Sequence, residues 1–158
     1  MKSTLLYGCE CWTLTKGSER KLQVFQQKCL RRILKIFYLN LVSNKEVLRR
    51  AGQTDILVDI VERKWRWVGH IARRDPQHLT RQALSWQCQG TRRRGRPRQK
   101  WMGVAKKELF EATGLDFSKV EEEAQDRGHW RRKVDAVRAY MVHRAYCLLK
   151  GSIRIKYS

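Results

Sequence analysis

The chain has 158 residues, room for one domain or two small ones, and sets 35 Lys and Arg against 15 Asp and Glu, a net charge of +20. Charge of that size repels itself in a compact fold and seeks a polyanion, of which nucleic acid is the commonest. A hydrophobic content of 42% with six Trp excludes full disorder, and no apolar run approaches the ~18–20 residues of a membrane span.

No signal peptide is expected from Met1-Lys2-Ser3-Thr4-Leu5-Leu6, and an odd set of five Cys without a regular framework fits a reducing, intracellular compartment. Only two Pro point to helices rather than many tight turns.

In chain order, residues 5–14 read as a short strand or an extended lead-in. Ser18 is the expected cap of the first good helix, with Glu19 in its positive first turn. Leu22, Phe25, Cys29, Ile33 and Ile36 recur on an oily face, with Lys21, Lys28, Arg31, Arg32 and Lys35 between them. Ser43 and Glu46 form a capping box for a short second helix, which Gly52 stops. A third helix is expected from Asp55 to about Arg73, its stripe of Leu57, Ile60, Val61, Val68 and Ile71 broken only by Lys64. Asp75 and Pro76 mark a break that starts a fourth helix, from about Gln77 to Trp86.

Residues 89–100 change composition: six basic side chains fall within ten positions, with no acid and no apolar residue among them. Such a segment buries nothing and reads as a loop. A helix from Trp101 to Thr113 follows, closed by Gly114, and Ser118 and Glu121 form a second capping box. The last long helix carries Trp130, Val134, Val137, Met141, Ala145 and Leu148 as far as Gly151, and a frayed basic tail ends the chain. The expected fold is mostly α: a small bundle of about six helices, with residues 1–88 and 101–158 as two helical parts joined by the Arg-rich loop.

The sharpest candidate for chemistry is that loop. Arg94-Gly95-Arg96-Pro97 matches the core of an AT-hook, an extended element whose Arg side chains enter the narrow minor groove of A·T-rich DNA. Arg92, Arg93, Arg98 and Lys100 add cations for phosphate contact. The helical doublets Arg31-Arg32, Arg49-Arg50 and Arg73-Arg74 and the triplet Arg131-Arg132-Lys133 extend the same chemistry, each being otherwise a solvated helix face. Trp65, Trp67, Trp86, Trp101 and Trp130 suit core packing, and Trp67 and Trp86 are the candidates for stacking on a base.

Metal and catalytic patterns are weak. Cys9-Glu10-Cys11 lacks the spacing of a zinc knuckle, and no P-loop, triad order or dinucleotide fingerprint occurs. Glu121-Glu122-Glu123 reads as the acidic start of a helix. No metal, cofactor or catalytic residue is expected.

Three blocks together resemble the C-terminal part of reverse transcriptases from LINE-like, non-LTR retrotransposons. They are Leu5-Leu6-Tyr7-Gly8-Cys9-Glu10-Cys11-Trp12-Thr13-Leu14, then Arg66-Trp67-Val68-Gly69-His70-Ile71-Ala72-Arg73, then Arg92-Arg93-Arg94-Gly95-Arg96-Pro97-Arg98-Gln99-Lys100-Trp101. Leu30-Arg31-Arg32-Ile33-Leu34, Asn44-Lys45-Glu46-Val47-Leu48 and Asp126-Arg127-Gly128-His129-Trp130-Arg131 fit the same pattern, so the resemblance covers most of residues 5–133. It implies a thumb and downstream region that holds a duplex DNA or RNA–DNA hybrid by its backbone, beside a palm domain with paired catalytic aspartates. This chain has no Asp-Asp pair to carry that role. The expectation is a nucleic-acid-binding fragment, inactive alone and acting in the nucleus, with Met1 an internal methionine of a truncated copy. Two alternatives stay open: an autonomous DNA-binding module using the Arg-Gly-Arg-Pro loop, or a non-functional transposon-derived remnant.

Overall fold

The computed structural model describes residues 2–37, 41–86, 90, 95 and 100–151. These residues are mostly α-helical, with α1 Lys2–Leu5, α2 Lys16–Ile33, α3 Asn44–Arg50, α4 Ile56–Ala72, α5 Leu79–Ser85, α6 Trp101–Thr113, α7 Val120–Glu123 and α8 Arg127–Gly151. Among the described residues, eight helices therefore stand where about six are predicted; α1 and α7 are single turns of four residues. The chain divides into two compact units, one of Met1–Thr13 and Glu62–Val137, the other of Leu14–Val61 and Arg138–Ser158. These units do not follow the 1–88 and 101–158 partition read from the sequence, and nearly all of the Arg-rich segment expected to join them lies outside the described residues.

In the unit of Leu14–Val61 and Arg138–Ser158, α2 starts ahead of the Ser18 cap read from the sequence. Thr15 supplies the same chemistry earlier, its hydroxyl accepting the Ser18 N–H at 3.2 Å. The helix ends at Ile33 rather than continuing through Ile36. Lys35 adopts a left-handed φ of 53°, and the Ile36 and Lys35 N–H groups return to the Arg31 and Arg32 carbonyls.

The oily face expected of α2 is only partly covered, since Phe25 is 43% and Ile33 67% exposed. The side chain that α2 buries is Gln26. Its Nε2 donates to the Thr54 carbonyl at 2.7 Å and its Oε1 accepts the Ile56 N–H at 2.9 Å. The first turn of α4 has orphan amide donors, and a buried amide that satisfies one outweighs one more apolar contact. Asp55, read from the sequence as the first residue of this helix, stands just before it and accepts the Leu57 N–H at 2.9 Å. Ser43 caps α3 as expected, but the Glu46 carboxylate turns to Arg49 and Arg50 instead of back to the cap. Hydrogen bonds from Arg49 and then Arg50 pull its pKa down to about 2. Gly52, at φ 58°, stops the helix as predicted.

In the unit of Met1–Thr13 and Glu62–Val137, no strand forms in the segment read as a strand or extended lead-in over residues 5–14, and the extended chain is found only past the 3-10 turn, at Trp12. Gly8, at φ 68°, turns the chain between α1 and a 3-10 turn at Cys9–Cys11, and the buried pair is Leu6 and Cys9. Asp75 caps a turn, accepting the Gln77 N–H at 2.7 Å, so α5 begins at Leu79 and Pro76 lies before it. The box expected at Ser118 is also displaced. Asp116 accepts the Ser118 N–H at 2.8 Å, and a 3-10 turn at Phe117–Lys119 leads into α7. Trp101–Thr113 and its Gly114 stop, at φ 68°, agree with the prediction.

Trp65 is fully buried at the centre of this unit, with ring centroids 6.2 Å from Trp130 and 6.4 Å from Phe117. Val68, Ile71, Ala105, Leu109, Val120, Val134 and Val137 belong to the same buried set. Lys64, the break in the α4 stripe, is buried against the Glu108 carboxylate of α6. Trp101 joins two of the sequence blocks: its Nε1 donates to the Glu10 carbonyl at 2.9 Å, and its ring meets Trp67 edge-on at 6.3 Å.

Candidate nucleic-acid interface

In the unit of Met1–Thr13 and Glu62–Val137, α8 packs on α4 where a side chain is missing. A Cβ built on Gly69 of α4 would lie 2.0 Å from Trp130 Nε1 of α8. The indole rests on the helix backbone and donates to the Trp65 carbonyl at 3.0 Å. Asp126 fixes the start of α8, its Oδ1 accepting the Gly128 and His129 N–H groups at 2.7 and 3.1 Å. Those two bonds, the one from His129 first, hold the Asp126 carboxyl below the usual carboxylate range.

This packing sets two cationic rows across an open cleft of about 630 Å³. Arg66 and His70 of α4 and Arg73, one residue past its end, stand at i, i+4 and i+7, hence on one face. Arg127, Arg131 and Asp135 stand at i, i+4 and i+8 on α8, and Trp130 and Val134 complete the lining. Four guanidinium groups thus face one lining carboxylate. Arg66 also reaches Glu62, one turn earlier, at 2.5 Å. Arg73 is half-buried and donates to the Ala124 carbonyl at 2.9 Å. Burial, and then the neighbouring Arg127 charge, push its pKa below the ordinary arginine value. Like charges held this close gain from an anion laid between them.

Beside the cleft, the exposed Arg74 lies between two imidazoles, with Nη2 3.0 Å from His70 Nε2 and Nη1 3.0 Å from His78 Nε2. A guanidinium only donates, so in the contact with His70 the imidazole Nε2 is the acceptor, whereas the acceptor nitrogen of His78 is Nδ1, which takes the Thr80 N–H at 3.3 Å.

Of the contact residues read from the sequence, Arg73 and Arg131 meet in the cleft and Arg74 borders it. Arg132 is exposed, with its Nη2 3.4 Å from His129 Nδ1. Lys100 is exposed. Arg31 and Arg32 belong to the other unit, where Arg31 donates to the Val42 carbonyl at 2.6 Å and to Asn44 Oδ1 at 3.0 Å while Arg32 stands in solvent. Trp67 is engaged by Trp101, and Trp86 is 71% exposed. Arg92, Arg93, Arg94, Arg96 and Arg98 lie outside the described residues. Of the acidic run, Glu121 pairs with Arg81, and Glu123 with His129 and Lys133. Among the described residues no group of three or more His, Cys, Asp or Glu is placed to hold a metal ion.

Arg66, His70 and Arg127 are cleft residues that the sequence reading misses. Adjacent doublets attract attention, but neighbours on a helix surface are three or four residues apart. A search for basic residues at that spacing finds Arg66, His70 and Arg73 together, and Arg127 with Arg131.

The chain is 28% identical over 133 residues to a Caenorhabditis elegans protein named as transposon-derived. The match covers 80% of this chain and 48% of the relative, so the chain spans about half the relative's length. No family model matches the chain, and no solved structure does. No helix among the described residues is long and apolar enough to cross a membrane.

Proposed function

We propose that this chain binds nucleic acid by its phosphate backbone, as the thumb and downstream region of a LINE-like reverse transcriptase does, and polymerises nothing by itself. One observation carries the reading. The Arg66–Arg73 and Asp126–Arg131 blocks, which bear much of the resemblance, supply the two cationic walls of one cleft. Guanidinium forks match phosphate oxygens in pairs, and such contacts position a duplex without reading its sequence. The natural partner is a duplex DNA or RNA–DNA hybrid, presented beside a palm domain carrying the missing aspartates, and the place of action is the nucleus. The similarity to a transposon-derived protein supports this origin.

The test compares A·T-rich with G·C-rich duplexes in a binding titration. Wild-type protein is expected to bind both with similar affinity. Replacing Arg73 and Arg74 together by Ala is expected to weaken both equally, lowering the salt slope by about one for each phosphate left without its arginine. A strong A·T preference that Arg96→Ala alone removes would overturn this reading in favour of the minor-groove hook.

A further inference from the structure

We infer that the cleft between α4 and α8 takes consecutive phosphates of a nucleic-acid strand and that His70 joins them as a cation, so that binding there takes up a proton. The inference rests on the backbone-binding function proposed above and adds a site and a proton linkage to it.

Geometry makes His70 the changeable member of the cleft. From its own helix and the turn after it, His70 faces Arg66, Arg73 and Arg74; from α8 it faces Arg127, Arg131 and Asp135. The bond from Arg74 Nη2 to His70 Nε2 exists only while the imidazole is neutral. The other arm of Arg74 lies 3.0 Å from His78 Nε2. A phosphate placed between the walls favours imidazolium by its charge, and a protonated His70 can no longer accept from Arg74. Arg74 Nη2 is then released toward the same phosphate oxygens. One proton thus converts a hydrogen-bonded pair into two donors for the ligand.

Histidine changes charge within about pH 5–8, so the coupling is readable under mild conditions. The probe is a fluorescent duplex of roughly 12 base pairs and mixed sequence, titrated at fixed ionic strength at about pH 8 and about pH 6. Wild-type protein is expected to gain up to about tenfold in affinity on acidification beyond what His70→Gln gains. His143→Gln, which alters an exposed histidine outside the cleft lining, is expected to keep the full gain. Arg127→Ala with Arg131→Ala is expected to weaken binding at both pH values and lower the salt slope by about two.

Retention of the whole pH gain in His70→Gln would overturn the proton linkage. Salt-sensitive binding untouched by the Arg127 and Arg131 changes would overturn the cleft while leaving nucleic-acid binding in place. Absence of salt-sensitive binding in the wild type would instead overturn the function on which the inference rests. Circular dichroism of each variant separates a missing phosphate ligand from an unfolded chain.

Discussion

Replacing Gly69 by Ala is expected to destabilise the protein by about 2–4 kcal/mol, although Ala is the better helix former by about 1 kcal/mol. Two effects of opposite sign compete. The new Cβ would sit 2.0 Å from Trp130 Nε1 and 2.3 Å from its Cδ1, distances at which something must move. Trp130 is buried and its Nε1 is committed to the Trp65 carbonyl, so moving it forfeits core packing and a hydrogen bond. That penalty exceeds the gain in propensity. Gly103, in α6, is the control of opposite sign. A Cβ there meets nothing within 4 Å, and Gly103→Ala is expected to stabilise by about 0.5–1 kcal/mol. Urea midpoints of the two variants check both signs at once.

The buried Lys64–Glu108 pair gives the second large effect. Both side chains are less than a tenth exposed, and one Glu108 oxygen has no hydrogen-bond partner among the described residues. Glu108→Ala leaves an ammonium group in an apolar setting and is expected to cost about 3–5 kcal/mol. Lys64→Met combined with Glu108→Leu removes both charges and fills comparable volume. That double change is expected to lie between neutral and a gain of a few kcal/mol, because desolvating two ions offsets most of their attraction. Thermal or urea unfolding of the two singles and the double closes the cycle. A double variant as unstable as the sum of the singles would contradict this expectation.

The elements most legible in the sequence are those set by local chemistry. Ser43, Gly52 and Gly114 act at the helix ends where their side chains or φ values place them. The α4 stripe is buried from Leu57 to Ile71, as its period predicts. Errors arise where a nearby residue offers the same cap, as Thr15 does for Ser18 and Asp116 for Ser118. Gln26 is hidden for a different reason: its burial answers a donor some thirty residues away, and helical periodicity carries no trace of that need. The cleft is half legible. Most of its residues lie in the blocks that carry the resemblance, but only tertiary packing of Trp130 on Gly69 shows that the blocks face each other.

Electrostatic capture of the phosphate backbone is the central claim, and salt dependence measures it most directly. Affinity for a mixed-sequence duplex is to be followed in KCl from about 50 to about 200 mM, where neutralising ~6–10 phosphates predicts a fall of ~10³–10⁵. The same titration on Arg127→Ala with Arg131→Ala is expected to give a slope shallower by about two. Affinity that stays flat across the KCl series would contradict backbone binding as the function of this chain.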